Sequence, residues 1–519
     1  MVSRIRIFVS VVACSLLVAC GGDRSHSGSS STDTSLSNQT NNSTQNSSSA
    51  WIAGQYKSWR QLSNMCANPS EDETLGTIAD ENAWIRSYSH DTYLWYRDLP
   101  DIDPASIDST EVYFDLMKTS ALTPEGEPRD RFHFSVDAKE WRSLMESGLS
   151  VGYGATYKWS HRGLSVAYVE PSSPASSQGL SRGATIIAID RVKVESMDIN
   201  RLNETLFPTV LGQSHKFEIE DLGASQTRHI TMVSADIVSE AVKNQYTFER
   251  GSKTIGYITF NDHTAKSQQQ LKAAVSEFRK DHIDELVLDM RYNGGGYLKV
   301  AAQLGYMIVG TDSHGRVFAE LQFNDKHNAY DPITGDALSP IVFHPSANTL
   351  GKPLTPDDSL PVLNLDRVFI LTGESTASAS EALINGLRGI DVEVILIGEK
   401  TIGKPYGFYG MDNCGTTYFT VQFRTLNAKG FSDYASGFAP DITGNSWGSK
   451  VNGCWIADDL SHRLGDPNEA LLSTALSYIE LGSCPDNLIS GPPDDGSFQR
   501  DRPDRFEGVM KPELGQMLQ

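Results

Sequence analysis

Positive charge is scarce in this chain: 44 Lys and Arg stand against 65 Asp and Glu, a formal net charge of -21 over 519 residues. That deficit argues against nucleic acid or an anionic membrane surface as a partner and favours solubility. Long apolar runs are missing as well. The best candidate, Ile7 to Ala19, is too short to span a bilayer stably. Cysteine is sparse, with six in all, and none has the CxxC spacing of a zinc site, so no metal and no cofactor is called for. Cys14 and Cys20 lie near the start. Cys66, Cys414, Cys454 and Cys484 fit an oxidising compartment, and of their three pairings we expect Cys414–Cys454 and Cys66–Cys484.

What is present at the start reads as an export signal. Arg4 and Arg6 precede the short apolar stretch, which ends in Leu17-Val18-Ala19-Cys20. That tetrapeptide resembles a bacterial lipobox, which implies lipidation of Cys20 and a lipid anchor to the membrane. Gly21 is not the aspartate of an inner-membrane retention signal. The implied location is the bacterial cell envelope, on the outer membrane facing the periplasm or at the cell surface. Residues 21–50 are almost wholly Ser, Asn, Thr, Gly and Asp; they cannot bury a core and read as a flexible tether.

From Trp51 the composition is globular, and the length allows two to four domains. Residues 66–147 carry helical periodicity, notably over Asp80 to Tyr96 with Ala83, Trp84, Tyr88, Leu94 and Trp95. They are expected to form a helical cap whose aromatics are core. In residues 148–236 the period changes to short strands and turns. Residues 240–482 alternate strand and helix: strands at Ile255–Phe260, Glu285–Met290 and Val368–Leu371, helices at Ala265–Asp281 and Leu298–Ile308. This alternation indicates α/β architecture. Residues 311–360 are expected to be a surface excursion, and 485–519 a polar C-terminal tail.

The most informative pair of features lies in the α/β region. Thr376-Ala377-Ser378-Ala379-Ser380-Glu381 places a hydroxyl cluster just before a helical pattern, and Gly398 to Lys404 delivers a lysine just past the apolar strand Val392–Ile397. A serine hydroxyl needs a neighbouring base to act as a nucleophile. A lysine can be that base only if burial lowers its pKa from about 10.4 towards neutrality. A third element, Asp289-Met290-Arg291-Tyr292-Asn293-Gly294-Gly295-Gly296, follows a buried strand. Asp289 and Arg291 are read as structural. His263, after the first strand, is read as a loop histidine rather than the base of a Ser–His variant.

Taken in order, these three segments resemble the C-terminal processing (tail-specific) serine peptidases, over roughly residues 70–480. The resemblance implies a multidomain α/β protein whose peptidase domain is a crotonase-like ββα superhelix. It also implies a Ser378 nucleophile, chosen over Ser375 and Ser380, and a Lys404 general base. Oxyanion donors are implied at the backbone of Ala379 and of Gly295 or Gly296. Many such peptidases carry a glutamine four residues after the lysine; here Phe408 stands there. The group that orients Lys404 is therefore open, with Glu381 and Thr401 as candidates. The segment Val169 to Asp190, with Gly179 and Gly183, resembles a PDZ domain. Gly152, Tyr153, Gly154 and Ala155 occupy the place of its carboxylate-binding loop, which captures a peptide end by strand addition. Arg191 replaces the glycine usual at the following turn.

The stretch Gly398 to Lys404 also has the spacing of a phosphate-binding loop, but Pro405 supplies neither the hydroxyl nor the N–H which that loop requires. Acyl-thioester chemistry on a crotonase-like fold finds no support in the serine and lysine placement. The expected partners are protein or peptide substrates. The alternative function is a catalytically inert envelope lipoprotein that binds peptides as a scaffold. Oligomeric state is not encoded in any motif.

Overall fold

The computed structural model describes residues 51–123, 126–346, 359–443, 448–486 and 517–518. The export signal with Cys14 and Cys20, the 21–50 tether and nearly all of the 485–519 tail lie outside the described residues. Among the described residues no helix is long and apolar enough to cross a membrane.

The largest layer is a seven-stranded sheet in the order Val242–Arg250, Lys253–Phe260, Glu285–Asp289, Arg367–Thr372, Glu393–Gly398, Lys450–Trp455, Ala439–Asp441. All neighbours are parallel except the first pair. A parallel sheet is covered on both faces, so its strands are apolar at successive positions. In the fourth strand, Val368 and Ile370 face a core built with the helices Ser267–Lys280, Leu298–Val309 and Ala379–Gly389. Phe369 and Leu371 face the other way, against Leu471, Leu472 and Leu476 of the helix Ala470–Leu481. The loops that follow the third, fourth and fifth strands therefore emerge together at the carboxyl edge of the sheet.

Residues 149–238 form a separate β-rich unit. Its sheet runs Thr227–Val233, Ser214–Glu220, Thr185–Ile189, Gly163–Val169, Ala155–Ser160, and encloses its own apolar core. Leu149–Gly152 pairs antiparallel with Ala235–Val238, so the chain enters and leaves this unit through one two-stranded neck. Ala155–Ser160 is an edge strand, and the helix Ile199–Leu206 contributes Leu202 and Leu206 to the same core.

The N-terminal segment is only partly helical. Ile78–Thr92 starts at a capping box in which Thr77 accepts from the Asp80 N–H and Asp80 accepts from the Thr77 N–H. Trp84 stacks on Tyr88 at 4.9 Å between centroids, and Tyr418 closes on Trp84 at 5.3 Å. Phe134–Asp137 is a strand paired with Thr416–Phe419, so part of the expected cap is built into a sheet with the α/β region.

The expected disulfide pairing is corrected. Cys66 bonds Cys414, and Cys454 bonds Cys484. Cys66 lies beside Asn64, whose N–H donates to Asn413, so docking of the N-terminal segment brings it to Cys414. Cys454 lies on a sheet strand, with Cys484 just past the helix that covers it.

Candidate active site

Strand Arg367–Thr372 ends in a tight turn that delivers Ser378 to the N-cap of helix Ala379–Gly389. Ser378 has φ 62° and ψ −115°, outside the regions open to a side-chain-bearing residue at low cost. Such a backbone costs about 1–3 kcal/mol and is kept only where the surroundings dictate it. Here they do: Thr376 Oγ1 donates to Met290 O at 2.9 Å, Ala377 N–H to Asn293 O at 3.1 Å, and Ser378 N–H to Glu381 Oε2 at 2.9 Å. Ser378 is fully buried, and its Oγ has no hydrogen-bond partner among the described residues. Ser380 Oγ, by contrast, is committed to Asn293 O.

The glycine turn lies directly against this serine. Gly295 has φ 109°, and a Cβ there would sit 2.7 Å from Ser378 Cβ and 2.9 Å from Ala379 N. Only glycine permits that approach. The Gly295 N–H donates to Asn293 Oδ1 at 2.9 Å and is taken up inside the turn. His263 N–H donates to Gly295 O and Tyr297 N–H to His263 O, so the N–H of Gly296 points away from His263. Ala379 is the first residue of its helix; its N–H has no acceptor within the helix and lies at the positive end of the dipole.

Lys404 follows strand Glu393–Gly398 and is 1% exposed. Glu381 joins its turn to that of the serine. One carboxylate oxygen, Oε2, accepts from Lys404 N–H at 2.8 Å and from Ser378 N–H at 2.9 Å, so these two nitrogens are no farther apart than the sum of those distances. The other oxygen accepts from Gly403 N–H and Thr401 Oγ1. Glu381 and Thr401, the candidate orienting groups, thus fix the backbone that carries Lys404. Burial raises the Glu381 pKa, and its four donors oppose that rise. The Lys404 amine lies 4.1 Å from the Phe408 ring centroid and 5.0 Å from that of Phe132. Burial pulls its pKa down to about 7, with Asp130 and Glu381 acting weakly in the other direction.

His263 is buried, and its Nδ1 contacts Asn293 Oδ1 at 3.0 Å. Burial lowers its pKa to about 4, so it is a neutral prop of the glycine turn. Asp289 and Arg291 belong to a buried ion network. Arg291 pairs with Asp289 at 2.8 Å, Glu469 at 2.7 Å and Asp458 at 2.9 Å. Asp458 also meets Arg182 at 2.7 Å and Lys158 at 3.4 Å, both from the β-rich unit, and accepts from Tyr292. In that unit Tyr153 is buried, its carbonyl accepts from Ala175 N–H, and Gly154 has φ 74° against Ser173. Gly152 ends the neck strand, and Ala155 opens the edge strand. Phe132, Asp130, Asn293, Asp458 and Glu469 were not singled out from sequence; only Phe408, as a departure from pattern, carried a signal.

Residues 254–443 match the model of peptidase family S41, and residues 80–136 match that of the peptidase S41 N-terminal domain. Over those residues the chain is similar to the S41 peptidases. The carboxyl-terminal-processing protease of Picosynechococcus sp. is 24% identical over 234 residues, covering 45% of this chain and 49% of the relative. The carboxy-terminal processing protease CtpB of Bacillus subtilis is 24% identical over 286 residues, covering 54% and 52%. The matched part of this chain thus spans about half the length of these curated relatives. A crystal structure of an S41-family protein from Bacteroides fragilis superposes with a TM-score of 0.58 at 25% identity, covering 76% of this chain and 97% of that one.

Proposed function

We propose that this protein is an S41-type serine endopeptidase of the C-terminal processing type, with Ser378 as nucleophile and Lys404 as general base. One observation carries the reading: a lysine with its amine buried against two aromatic rings, its pKa near neutrality, on a turn tied through Glu381 to the turn of a serine whose hydroxyl has no partner among the described residues. Neutral Lys404 takes the Ser378 proton as Oγ attacks the peptide carbonyl and returns it to the leaving amine. The oxyanion is held by the N–H of Ala379 and of Gly296. Gly295 supports this hole by its close approach and not by its N–H, which Asn293 occupies. Each such donor contributes about 2.7–4 kcal/mol to barrier lowering.

The parallel sheet with helices on both faces supports a crotonase-like superhelix for the peptidase domain. The order of strands around Gly179 and Gly183 supports a PDZ-like fold for residues 148–236. Its groove would lie between the edge strand from Ala155 and the helix Ile199–Leu206, with Gly152 to Ala155 at the end that takes a peptide carboxylate. With the lipobox at Cys20, this gives an enzyme anchored by lipid in the cell envelope, acting on exported proteins.

The test is cleavage of casein or a peptide library by the soluble body from residue 51, wild type against Ser378→Ala. Loss of cleavage only in the variant supports the reading; cleavage by both proteins refutes it, and cleavage by neither favours the peptide-binding scaffold. Substitutions in the Gly152–Ala155 loop are expected to slow cleavage of long, tailed substrates while sparing short peptides. Equal loss on both would count against tail recognition.

A further inference from the structure

Phe408 occupies the position where the resembled peptidases carry a side chain able to hydrogen-bond the lysine, and a phenyl ring cannot accept in that way. The groups that face the Lys404 amine are instead two ring faces. Phe408 lies at 4.1 Å, on the segment just past the lysine, and Phe132 at 5.0 Å, from the N-terminal region. We propose that Phe132 and Phe408 form an aromatic clamp that positions the Lys404 amine towards Ser378, so that the base is complete only when the N-terminal region is docked. The proposal rests on the Ser378–Lys404 reading and adds two positioning residues to it.

Both rings are held independently of the lysine. Phe408 is fully buried and packs at 5.1 Å on Phe419, which stacks on Phe134 at 4.5 Å and meets the edge of Trp141 at 4.8 Å. Phe132 is fixed through its backbone: its N–H donates to Asp130 Oδ1 at 3.0 Å, and Asp130 Oδ2 accepts from Tyr93 OH at 2.7 Å. The same tyrosine hydroxyl accepts from Thr119 N–H at 3.0 Å. Next to Phe132, Arg131 donates to Ile402 O at 3.4 Å, two residues before the lysine. The N-terminal region thus reaches the lysine turn through Arg131 as well as through Phe132.

The chemistry favours rings at this place. A neutral amine gains little from a phenyl face, whereas an ammonium is attracted by the ring quadrupole. Rings also exclude water, which disfavours the ammonium in the resting enzyme. An aromatic clamp therefore lowers the pKa through burial, so that neutral amine is available near pH 7, while its ring faces offset part of the cost of the cation that forms when the Ser378 proton arrives. A glutamine carbonyl would favour the ammonium more strongly than a ring face and so raise the pKa. Asp130 and Glu381 are the charged groups that bear on this amine. Tyr406 and His133 lie on the same segments; burial raises the first and lowers the second, so both are neutral near pH 7.

The experiment compares kcat and KM for a peptide substrate, across the pH range on either side of neutrality, for wild type, Phe132→Leu, Phe408→Leu, Phe408→Gln and Lys404→Ala, with thermal unfolding as the check on folding. The leucine variants keep an apolar wall but lose the ring faces, and each is expected to lower kcat about tenfold at unchanged KM. Phe408→Gln is expected to recover much of the kcat lost in Phe408→Leu while moving the acid limb of the profile up by about one pH unit. Leucine variants with wild-type kcat and pH profile overturn the clamp. Should Phe408→Leu not fold, Phe132→Leu, at a half-buried position, decides alone by the same criterion. Activity retained in Lys404→Ala overturns the clamp and the Ser–Lys reading together. A dead Lys404→Ala beside unchanged leucine variants removes only the clamp.

Discussion

Peptide hydrolysis is expected to rise with pH through a group near 7 and to fall by at least about 10²–10⁴-fold in Lys404→Ala, the range that a general base contributes. The direction follows from the charge: only the neutral amine can accept the serine proton, and burial brings its pKa to about 7, so the competent form fills as pH passes that value. The same burial has a consequence for stability with its own sign. In the unfolded chain the amine titrates near about 10.4, so between about pH 7 and 10.4 the unfolded state binds the extra proton and stability rises with pH. At and below pH 7 the fold carries the full penalty of an ammonium among rings. Lys404→Met, which removes that penalty, is expected to be inactive yet more stable at neutral pH, by up to about 5 kcal/mol at 1.36 kcal/mol per pKa unit. Urea unfolding at pH 7 and at about pH 10 checks this: the gain should shrink at the higher pH. A gain that is absent, or equal at both values, would mean that the amine is solvated.

How much of this arrangement could be read from residues alone depended on how local its cause was. The βα alternation of 253–398 was legible because each strand is buried on both faces and each helix shows its own period; Val368 to Leu371 declares a two-faced strand without reference to anything distant. The serine and lysine turns were legible because hydroxyl, glycine and lysine fall at fixed offsets from those elements. The disulfides were not. Cys414 pairs with Cys66 because the N-terminal segment docks on the strand Thr416–Phe419, a contact over a sequence separation of 348 that no periodicity announces. The expected helical cap missed Phe134–Asp137 for the same reason, since that strand exists only through its partner. Around Lys404 the visible signal was negative: an apolar residue at 408. Its meaning needed Phe132, which sequence distance hides. Arg291 was recognisable as structural, but its partners Asp458 and Glu469 lie far along the chain.

That last network carries the second large prediction. The Asp458 side chain is almost wholly buried, and its carboxylate meets Arg291, Arg182 and Lys158 as well as the Tyr292 hydroxyl. These cations and the hydroxyl hold its pKa well below the usual carboxylate range. Replacing a buried partner leaves charge without compensation, a loss of about 3–5 kcal/mol, so Asp458→Ala is expected to lower the unfolding midpoint sharply. Not all of its partners suffer equally. Arg291 retains Asp289 and Glu469, and Lys158 retains Glu399, whereas among the described residues Arg182 keeps only carbonyl and hydroxyl acceptors. Arg182→Ala should therefore cost much less in the Asp458→Ala background than alone, and a double-mutant cycle measures that coupling. Since the folded pKa is depressed, the stabilisation is complete above the unfolded value of about 3.9 and is lost as pH falls towards the folded one, so the variant's deficit should narrow in acid. A deficit under about 1 kcal/mol, the size of a solvated surface pair, would show that water reaches these charges. Because Arg182 and Lys158 belong to the β-rich unit while Arg291 and Tyr292 begin the glycine turn, the same carboxylate ties the seating of that unit to the geometry around Ser378.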